Sequence, residues 1–161
     1  VFDSSAGDAP LPQGGTFSAN PLSMVAGIAS LTALDRSAFD HLEHLGAKVR
    51  DGIAAAAARR GLPIVVTGTA SLFRLHIKAE VPRTYREAWP MPHEAKVLKA
   101  MSQSLISKGV IMPALTTSSL STPMTDDDVD FLLAAISEFF DYDAAKRMIV
   151  ECHFARTQRQ L

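Results

Sequence analysis

The residues best suited to chemistry lie in the segment GGTFSANP, residues 14–21. Gly14 and Gly15 leave the backbone open to close approach by a ligand, and Thr16 offers both an N–H group and a hydroxyl. A turn of this kind directly before a helix suits an anion or a phosphate, because the first N–H groups of the helix point outward there. The alternative is a tight turn followed by an N-cap, and the residue types alone favour this simpler role.

Other candidate sites rest on weaker patterns. His41 and His44 are three residues apart on a predicted helix, a spacing compatible with a metal pair, but no third ligand is near them in sequence. The acidic run 126–128 is explained more simply by the positive end of a helix dipole than by a cation site. Cys152 has no evident activating partner, so a reactive thiol is not expected. No P-loop, dinucleotide fingerprint, nucleophile elbow or zinc-type spacing occurs in the sequence.

The composition is typical of a globular domain. The chain has 161 residues, enough for one domain with its own core. Its net charge of −1 comes from interspersed residues of both signs, so neither a nucleic acid nor a membrane surface is an expected partner. The single cysteine favours a reducing, cytoplasmic compartment. No secretory signal is recognised at its start, and the opening residue is Val1 rather than Met, which predicts a longer parent protein.

The segment that follows the glycine-rich turn predicts an unusual helix. Asn20 is a good N-cap, and Pro21 suits the first helical position because its missing N–H group is not needed there. From Leu22 to Leu34 the residues are apolar or small on every side. Prolines and hydroxyl residues in the uncharged run 9–34 argue against a membrane span. A helix that is hydrophobic all round must instead be covered by protein.

The rest of the chain alternates helices with short strands. A helix is predicted from Phe39 to Arg60, with a Ser37–Asp40 capping arrangement at its start and Gly61 at its end. The later predicted elements are strands at 64–66 and 72–78 joined by a turn at 67–69, an exposed loop at 81–93, a helix at 93–108 stopped by Gly109, short strands at 110–112 and 117–121, and a helix opened by a Thr125–Asp128 capping box.

The predicted core follows from the spacing of apolar residues. Alternation in the second strand puts Phe73, Leu75 and Ile77 on the buried face and Arg74, His76 and Lys78 on the other. The helices contribute stripes of apolar residues at helical spacing: Phe39, Leu42, Leu45, Val49, Ile53, Val97, Leu98, Met101, Leu105, Ile106, Val129, Leu132, Leu133, Ile136 and Phe140. These elements predict an α+β fold in which helices pack on one face of a small, mostly antiparallel sheet.

The segment GGTFSANPLSMVAGIASLTAL resembles a Gly-Thr-Phe-x-x-Asn-Pro motif and the helix after it in class III, fold-type I pyridoxal-phosphate aminotransferases. Within that class the chain is most similar to the glutamate-1-semialdehyde aminomutase-like branch. The segments HLEHLGAKVRDGI, VTGTASLFRLHI, LISKGVIM and STPMTDDDVDFLLAAISEF follow in the family's order. The resemblance covers residues 1–141. It implies that residues 1–35 end a large cofactor domain, that 36–141 form a small C-terminal domain, and that 142–161 are a tail of unknown role.

The family resemblance also implies a role for the glycine-rich turn. In this family the Gly-Thr pair contacts the phosphate of pyridoxal 5'-phosphate bound to the neighbouring subunit of a homodimer. Gly15 and Thr16 are then the phosphate-binding residues, with Phe17, Ser18 and Asn20 close by. The apolar helix would be covered by the large domain or by the partner subunit.

The resemblance further implies that the catalytic apparatus is incomplete in this chain. The family's Schiff-base lysine should precede Val1, and none of the lysines present stands in a matching context: Lys48, Lys78, Lys96, Lys99, Lys108 and Lys146. The expected function is that of a C-terminal fragment of an enzyme that moves amino groups between amino acids and keto or aldehyde acceptors, inactive by itself. The alternative is a non-catalytic interaction or regulatory module derived from the same family.

Three arginines are candidates for a substrate carboxylate in the parent enzyme. Arg74, or Arg83 and Arg86 in the loop after the second strand, would pair with it, because a guanidinium binds a carboxylate through two parallel hydrogen bonds. Surface salt bridges are the more ordinary explanation for these residues.

Overall fold

The computed structural model describes residue 15 and residues 17–157, with side chains as far as residue 152. These residues form six helices and one three-stranded antiparallel sheet, which confirms the predicted α+β class. The elements are α1 Pro21–Ala33, α2 Arg36–Ala58, β1 Val65–Thr69, β2 Leu72–His76, α3 Tyr85–Ala88, α4 Pro92–Ile106, β3 Thr117–Ser119, α5 Asp126–Asp141 and α6 Asp143–Thr157. In this part of the chain, every helix is too short or too polar to cross a membrane. The chain divides into two compact units, Val1–Ala38 and Phe39–Leu161.

Helix α1 of the first unit starts where the sequence predicts. The Asn20 side chain accepts a hydrogen bond from the Leu22 N–H group at 2.9 Å, and Pro21 occupies the first turn. None of the helix residues is buried, and the Leu22 side chain is 81% exposed. Helix α1 therefore presents apolar side chains on all of its sides.

Helix α2 starts earlier than the sequence suggests. The predicted capping pair Ser37 and Asp40 is wrong, because the Asp35 carboxylate accepts from the Ser37 hydroxyl at 2.7 Å and from the Ala38 N–H group at 2.9 Å. These bonds lower the pKa of Asp35, with the Ser37 bond the largest cause. Gly61, at φ +62°, follows the end of the helix as predicted.

The hairpin β1–β2 corrects the predicted turn. Thr67, Gly68 and Thr69 belong to β1, and the two-residue loop is Ala70-Ser71. Gly68 allows this register because a Cβ atom at that position would lie 2.0 Å from the Leu72 carbonyl oxygen. A glycine inside a strand can mark close approach of another backbone as well as a turn.

The segment after α4 differs from the prediction. Residues 110–112 form no strand, because the chain reverses at Gly109 (φ +85°) and the Val110 N–H group donates to the Leu105 carbonyl at 2.9 Å. The next strand is shorter than the predicted 117–121: β3 contains Thr117–Ser119 only, paired with β2. Ahead of it, the Thr116 hydroxyl donates to the Leu75 carbonyl oxygen at 2.7 Å.

One hydrophobic cluster joins the sheet to the helices of the second unit. The predicted buried face of the strand 72–78 lies in this cluster: Phe73, Leu75 and Ile77. The predicted helix positions also lie in it or against it, except for two that are largely exposed: Phe39 and Ile106. Both occupy the terminal turns of their helices, where the helix extends past the core.

The tail, for which the sequence suggested no role, contains a further core helix. Helix α6 packs against α4 and α5. Its residues Ala145, Ile149 and Cys152 are buried in the same cluster as the other helices. The spacing of four and three residues is that of one helix face.

Candidate functional site

The candidate phosphate-binding turn is compact in its described part. The Ser18 N–H group donates to the Gly15 carbonyl at 3.0 Å, and the Asn20 N–H group donates to the Phe17 carbonyl at 3.2 Å. Between them Ala19 takes a left-handed conformation at φ +56°. These bonds fold the chain back immediately before α1, so the turn stands at the N-terminus of a 13-residue helix.

The structure describes some of the residues predicted to surround the phosphate. Gly15, Phe17, Ser18 and Asn20 lie in the turn, whereas Thr16 is outside the described residues. A Cβ atom on Gly15 would lie 3.3 Å from the Ser18 hydroxyl oxygen, closer than most Cβ contacts. A side chain at Gly15 would therefore press on Ser18, whose hydroxyl is one of the polar groups of the turn.

The electrostatics of the turn suit an anion. The first turn of α1 contains no acidic residue, and Gly15 and Ser18 are exposed. Because the helix dipole places partial positive charge at the N-terminus, a phosphate there would meet no opposing carboxylate from α1. The side chain of Asn20 already accepts from Leu22, so it stabilises the turn rather than contacting an anion.

The three candidate arginines have different surroundings. Arg83 and Arg86 are exposed, and the backbone N–H group of Arg83 donates to the Glu87 carboxylate at 2.7 Å. The Arg74 guanidinium is half-buried, and its Nη2 atom donates to the Ala88 carbonyl at 3.3 Å. The Arg74 Nε atom is buried and has no hydrogen-bond partner among the described residues. Arg74 thus retains donor capacity that its neighbours do not use.

The burial of an ion pair between Lys78 and Glu94 was not predicted. The Lys78 ammonium pairs with the Glu94 carboxylate at 2.8 Å, and both side chains are almost completely buried. Glu94 also accepts from the Met91 N–H group at 2.8 Å, at the start of α4. His76, the last residue of β2, is also buried, with its Nε2 atom 2.9 Å from the Thr67 hydroxyl.

Burial controls the titration of two groups in this region. The pKa of His76 is lowered to about 4: burial is the largest cause, the positive charges of Arg74 and Lys78 contribute, and Glu94 opposes them. His76 is therefore neutral at neutral pH. Burial raises the pKa of the Cys152 thiol to about 11, with Glu94 and Glu151 adding to the effect. The thiolate, which is the reactive form, is thus disfavoured, as the sequence predicts.

The two helical histidines contact different partners near the start of α5. The His41 Nε2 atom lies 2.8 Å from the Met124 carbonyl oxygen, and the His44 Nε2 atom lies 3.0 Å from an Asp126 carboxylate oxygen. Lys48 reaches the same carboxylate at 2.8 Å, and its hydrogen bond is the largest cause of the lowered pKa of Asp126. Within the described residues no group of three potential ligands could hold a metal ion. These side chains connect α2 to α5.

Sequence reasoning missed the burial of His76 and Lys78 for an identifiable reason. Alternation assigns both residues to the polar face of the predicted strand 72–78, and a polar face is normally solvated. One signal could have revealed the burial of Lys78: a glutamate, Glu94, lies in the first turn of the next long helix and can pair with it. The two residues are 16 positions apart, however, so the sequence alone does not predict that they meet.

Curated relatives of the chain are known from sequence, although no family model matches it. The chain is 28% identical over 142 residues to glutamate-1-semialdehyde 2,1-aminomutase 2 of Exiguobacterium sibiricum, a match of 87% of this chain and 32% of the relative. It is 32% identical over 148 residues to glutamate-1-semialdehyde 2,1-aminomutase of Anaeromyxobacter dehalogenans, a match of 91% of this chain and 34% of the relative. The part of this chain that the second match does not cover is shorter than the tail 142–161. The match therefore includes some residues of that tail.

Solved structures share the fold. An omega-transaminase from Sphaerobacter thermophilus superposes with a TM-score of 0.76 at 32% identity, over 92% of this chain and 33% of that protein. A transaminase with bound pyridoxal phosphate superposes with a TM-score of 0.69 at 29% identity, over 94% of this chain and 33% of that protein. The chain spans about a third of the length of the proteins it matches, and the matched third is a C-terminal part.

Proposed function

We propose that this chain is the C-terminal third of a pyridoxal-phosphate-dependent aminotransferase or glutamate-1-semialdehyde aminomutase-like enzyme, the group to which its homologues belong. The observation that carries the proposal is the match of 91% of the chain to a third of one such aminomutase at 32% identity. A similar extent of the chain superposes on an omega-transaminase at the same identity, so sequence and fold support the same assignment.

The proposed parent enzyme moves an amino group between an amino acid and a keto or aldehyde acceptor. Pyridoxal phosphate, when bound, supplies the electron sink that such chemistry needs. This chain would contribute the backbone of Gly15 and the N–H group and hydroxyl of Thr16 as phosphate donors. Asn20 would hold the turn in place through its bond to Leu22.

The exposed helix α1 supports a dimeric parent. In the first unit its large apolar side chains, among them Leu22, Val25 and Ile28, are more than half exposed. An uncovered apolar surface of this kind favours association. We propose that the large domain and the partner subunit of a homodimer cover it, and that Gly15 and Thr16 reach the cofactor phosphate of that partner.

Arg74 is the best candidate of the three arginines for a substrate carboxylate. Its Nε atom lacks a partner among the described residues, whereas a carboxylate can accept from Nε and one Nη atom together. Arg83 and Arg86 are exposed, and charge pairs at exposed positions contribute little. The proposed substrate is therefore a small amino acid whose carboxylate is bound at Arg74.

The lysines of this chain support a role without covalent catalysis. Within the described part of the chain, four of them form ion pairs with acidic side chains: Lys48, Lys78, Lys108 and Lys146. A lysine that forms a Schiff base must be free to attack the cofactor aldehyde, and an ion pair occupies the amino group with a carboxylate instead. We expect this chain by itself to lack transaminase activity.

The reading frame upstream of Val1 tests the proposal. We expect it to continue into a longer domain that contains a lysine able to form the Schiff base. An initiation codon immediately before Val1, with purified chain that has no aminotransferase activity, would instead support the non-catalytic module. In that case Gly15 and Thr16 would be residual anion-binding residues of an interaction domain.

A further inference from the structure

An apolar cavity lies in the second unit, between β3, the chain after α4 and the first turns of α5. Its volume is about 240 Å³. Buried side chains form its walls, among them Phe73, Met112, Leu120 and Val129. We call it the β3 cavity. Arg74 is not among its lining residues, and the proposed function assigns the cavity no role.

Ser118 places a hydroxyl group on the wall of the β3 cavity. It is paired directly with Phe73 across the antiparallel strands β2 and β3. Directly opposed residues project from the same face of a sheet, so the Ser118 side chain projects to the core face with Phe73. Its Oγ atom is buried and has no hydrogen-bond partner among the described residues. A buried hydroxyl without a partner costs free energy, which a ligand with a hydrogen-bonding group would recover.

The charge on the described cavity lining is negative. Asp128 is the charged residue among the described lining residues, and no lysine, arginine or histidine occurs with it there. The Thr125 N–H group and hydroxyl both donate to Asp128 and hold the pKa of its carboxyl below the ordinary value. Asp128 therefore stays ionised at neutral pH, and a charged ligand would have to be a cation.

We propose that the β3 cavity binds a small apolar amine: a single ring or a branched aliphatic group that carries one primary ammonium. The apolar body would replace solvent against Phe73, Leu120 and Val129. The ammonium would donate to the Ser118 Oγ atom and lie in the field of the Asp128 carboxylate. The cavity is smaller than a typical pocket of about 300–1,000 Å³, so the ligand is no larger than about one ring with a short side chain.

Two probes with the same ring and opposite charge test the proposal. The full chain, labelled with ¹⁵N, would be titrated with benzylamine and with benzoate at one pH and one ionic strength, and amide shifts of 109–120 and 128–132 recorded. We expect benzylamine to bind about tenfold or more tightly than benzoate, since the negative charge of Asp128 attracts the ammonium and repels the benzoate carboxylate. Equal binding of the two probes, or no binding by benzylamine, would overturn the proposal.

Substitutions at Ser118 test whether the amine binds inside the β3 cavity. Ser118→Ala removes the hydroxyl, and Ser118→Ile also fills the cavity while keeping a residue that suits a strand. We expect Ser118→Ala to bind benzylamine several-fold more weakly. We expect Ser118→Ile to show no saturable amide shifts on addition of benzylamine. Ser121→Ala is the matched control, because Ser121 is exposed and does not line the cavity. A thermal melt of each variant confirms folding.

Two results would assign the cavity differently. Benzylamine shifts that are unchanged in both Ser118 variants would show that the amine binds elsewhere. Shifts that follow protein concentration rather than benzylamine concentration would show that a second copy of the chain covers the cavity. Either result overturns the proposed amine site.

Discussion

The Lys78 ammonium and the Glu94 carboxylate lie 2.8 Å apart in the interior, with 5% and 2% of their side chains exposed. The pair joins the chain just after β2 to the first turn of α4, and Glu94 also accepts from the Met91 N–H group. An ion pair this deeply buried stabilises a fold only while both partners are present.

Removal of one partner of this pair should be costly. Lys78→Met would leave the Glu94 carboxylate buried without its counter-ion, and we expect a loss of about 3–5 kcal/mol in the free energy of unfolding. In Lys78→Met/Glu94→Gln no charge remains and the amide oxygen still caps Met91, so most of that loss should be recovered. Urea unfolding of the three proteins measures both steps. A double variant as unstable as the single one would contradict this account.

Gly46 should not tolerate a side chain. A Cβ atom there would lie 1.7 Å from the Ala70 carbonyl oxygen in the hairpin loop. Gly46→Ala would push the β1–β2 hairpin away from α2, and we expect it to destabilise the chain by about 1–3 kcal/mol or more. Gly27→Ala is the control, because nothing lies within 4 Å of that Cβ position and alanine favours a helix. Thermal unfolding should show a lower melting temperature for Gly46→Ala alone.

The buried imidazole of His76 predicts a pH dependence of stability. Its pKa falls from 6.5 to about 4 because of burial, and Arg74 and Lys78 contribute. Below pH 6.5 the unfolded chain takes up a proton that the folded chain does not, so stability should decrease as the pH falls from 6.5 to 4 and lose no more from this group below that. From the size of the shift, the loss is on the order of 3 kcal/mol.

His76→Gln isolates this effect from the titration of the carboxylates. Glutamine keeps a polar group near Thr67 but cannot take up the proton. We expect the difference in unfolding free energy between the two proteins to change between pH 7 and pH 4. Parallel stability curves for wild type and variant over that range would contradict the assigned burial.

The apolar surface of α1 should cause association of the isolated chain. Leu22 and Ile28 are 81% and 63% exposed. We expect Leu22→Glu/Ile28→Glu to lower the mean sedimentation coefficient at a given concentration, because the charges make coverage of this face unfavourable. Phe131→Glu, at an exposed position of α5 in the second unit, is a control for a single added charge. If the control has an equal effect, α1 is not the associating surface.

Local signals in the sequence predict much of the fold. Asn20 caps α1, and Thr125 with Asp128 forms the capping box of α5, because these contacts link residues at most three apart. The buried face of β2 follows equally from its alternation. Long-range contacts explain what the sequence could not predict. The buried state of Lys78 depends on Glu94, and the place of the hairpin loop depends on the approach of the β2 backbone to Gly68.

Among the candidate sites too, some are predicted from neighbouring residues and others depend on long-range contacts. The turn at Gly15 and Thr16 is predicted from adjacent residues and from the family resemblance. The free Nε atom of Arg74 and the unpartnered hydroxyl of Ser118, as the described residues show them, depend on strand register and on segments distant in sequence. No local pattern distinguishes these two residues from ordinary polar residues on a strand.

We propose that this chain lacks the lysine that forms the Schiff base with pyridoxal phosphate, and covalent labelling tests this most directly. Purified chain would be incubated with pyridoxal phosphate, reduced with borohydride, and studied by absorbance and by intact mass with peptide mapping. We predict no stoichiometric adduct, only minor labelling spread over several lysines. A stable internal-aldimine absorbance band together with one full equivalent of reduced adduct on a single lysine would show that the chain does contain a Schiff-base lysine.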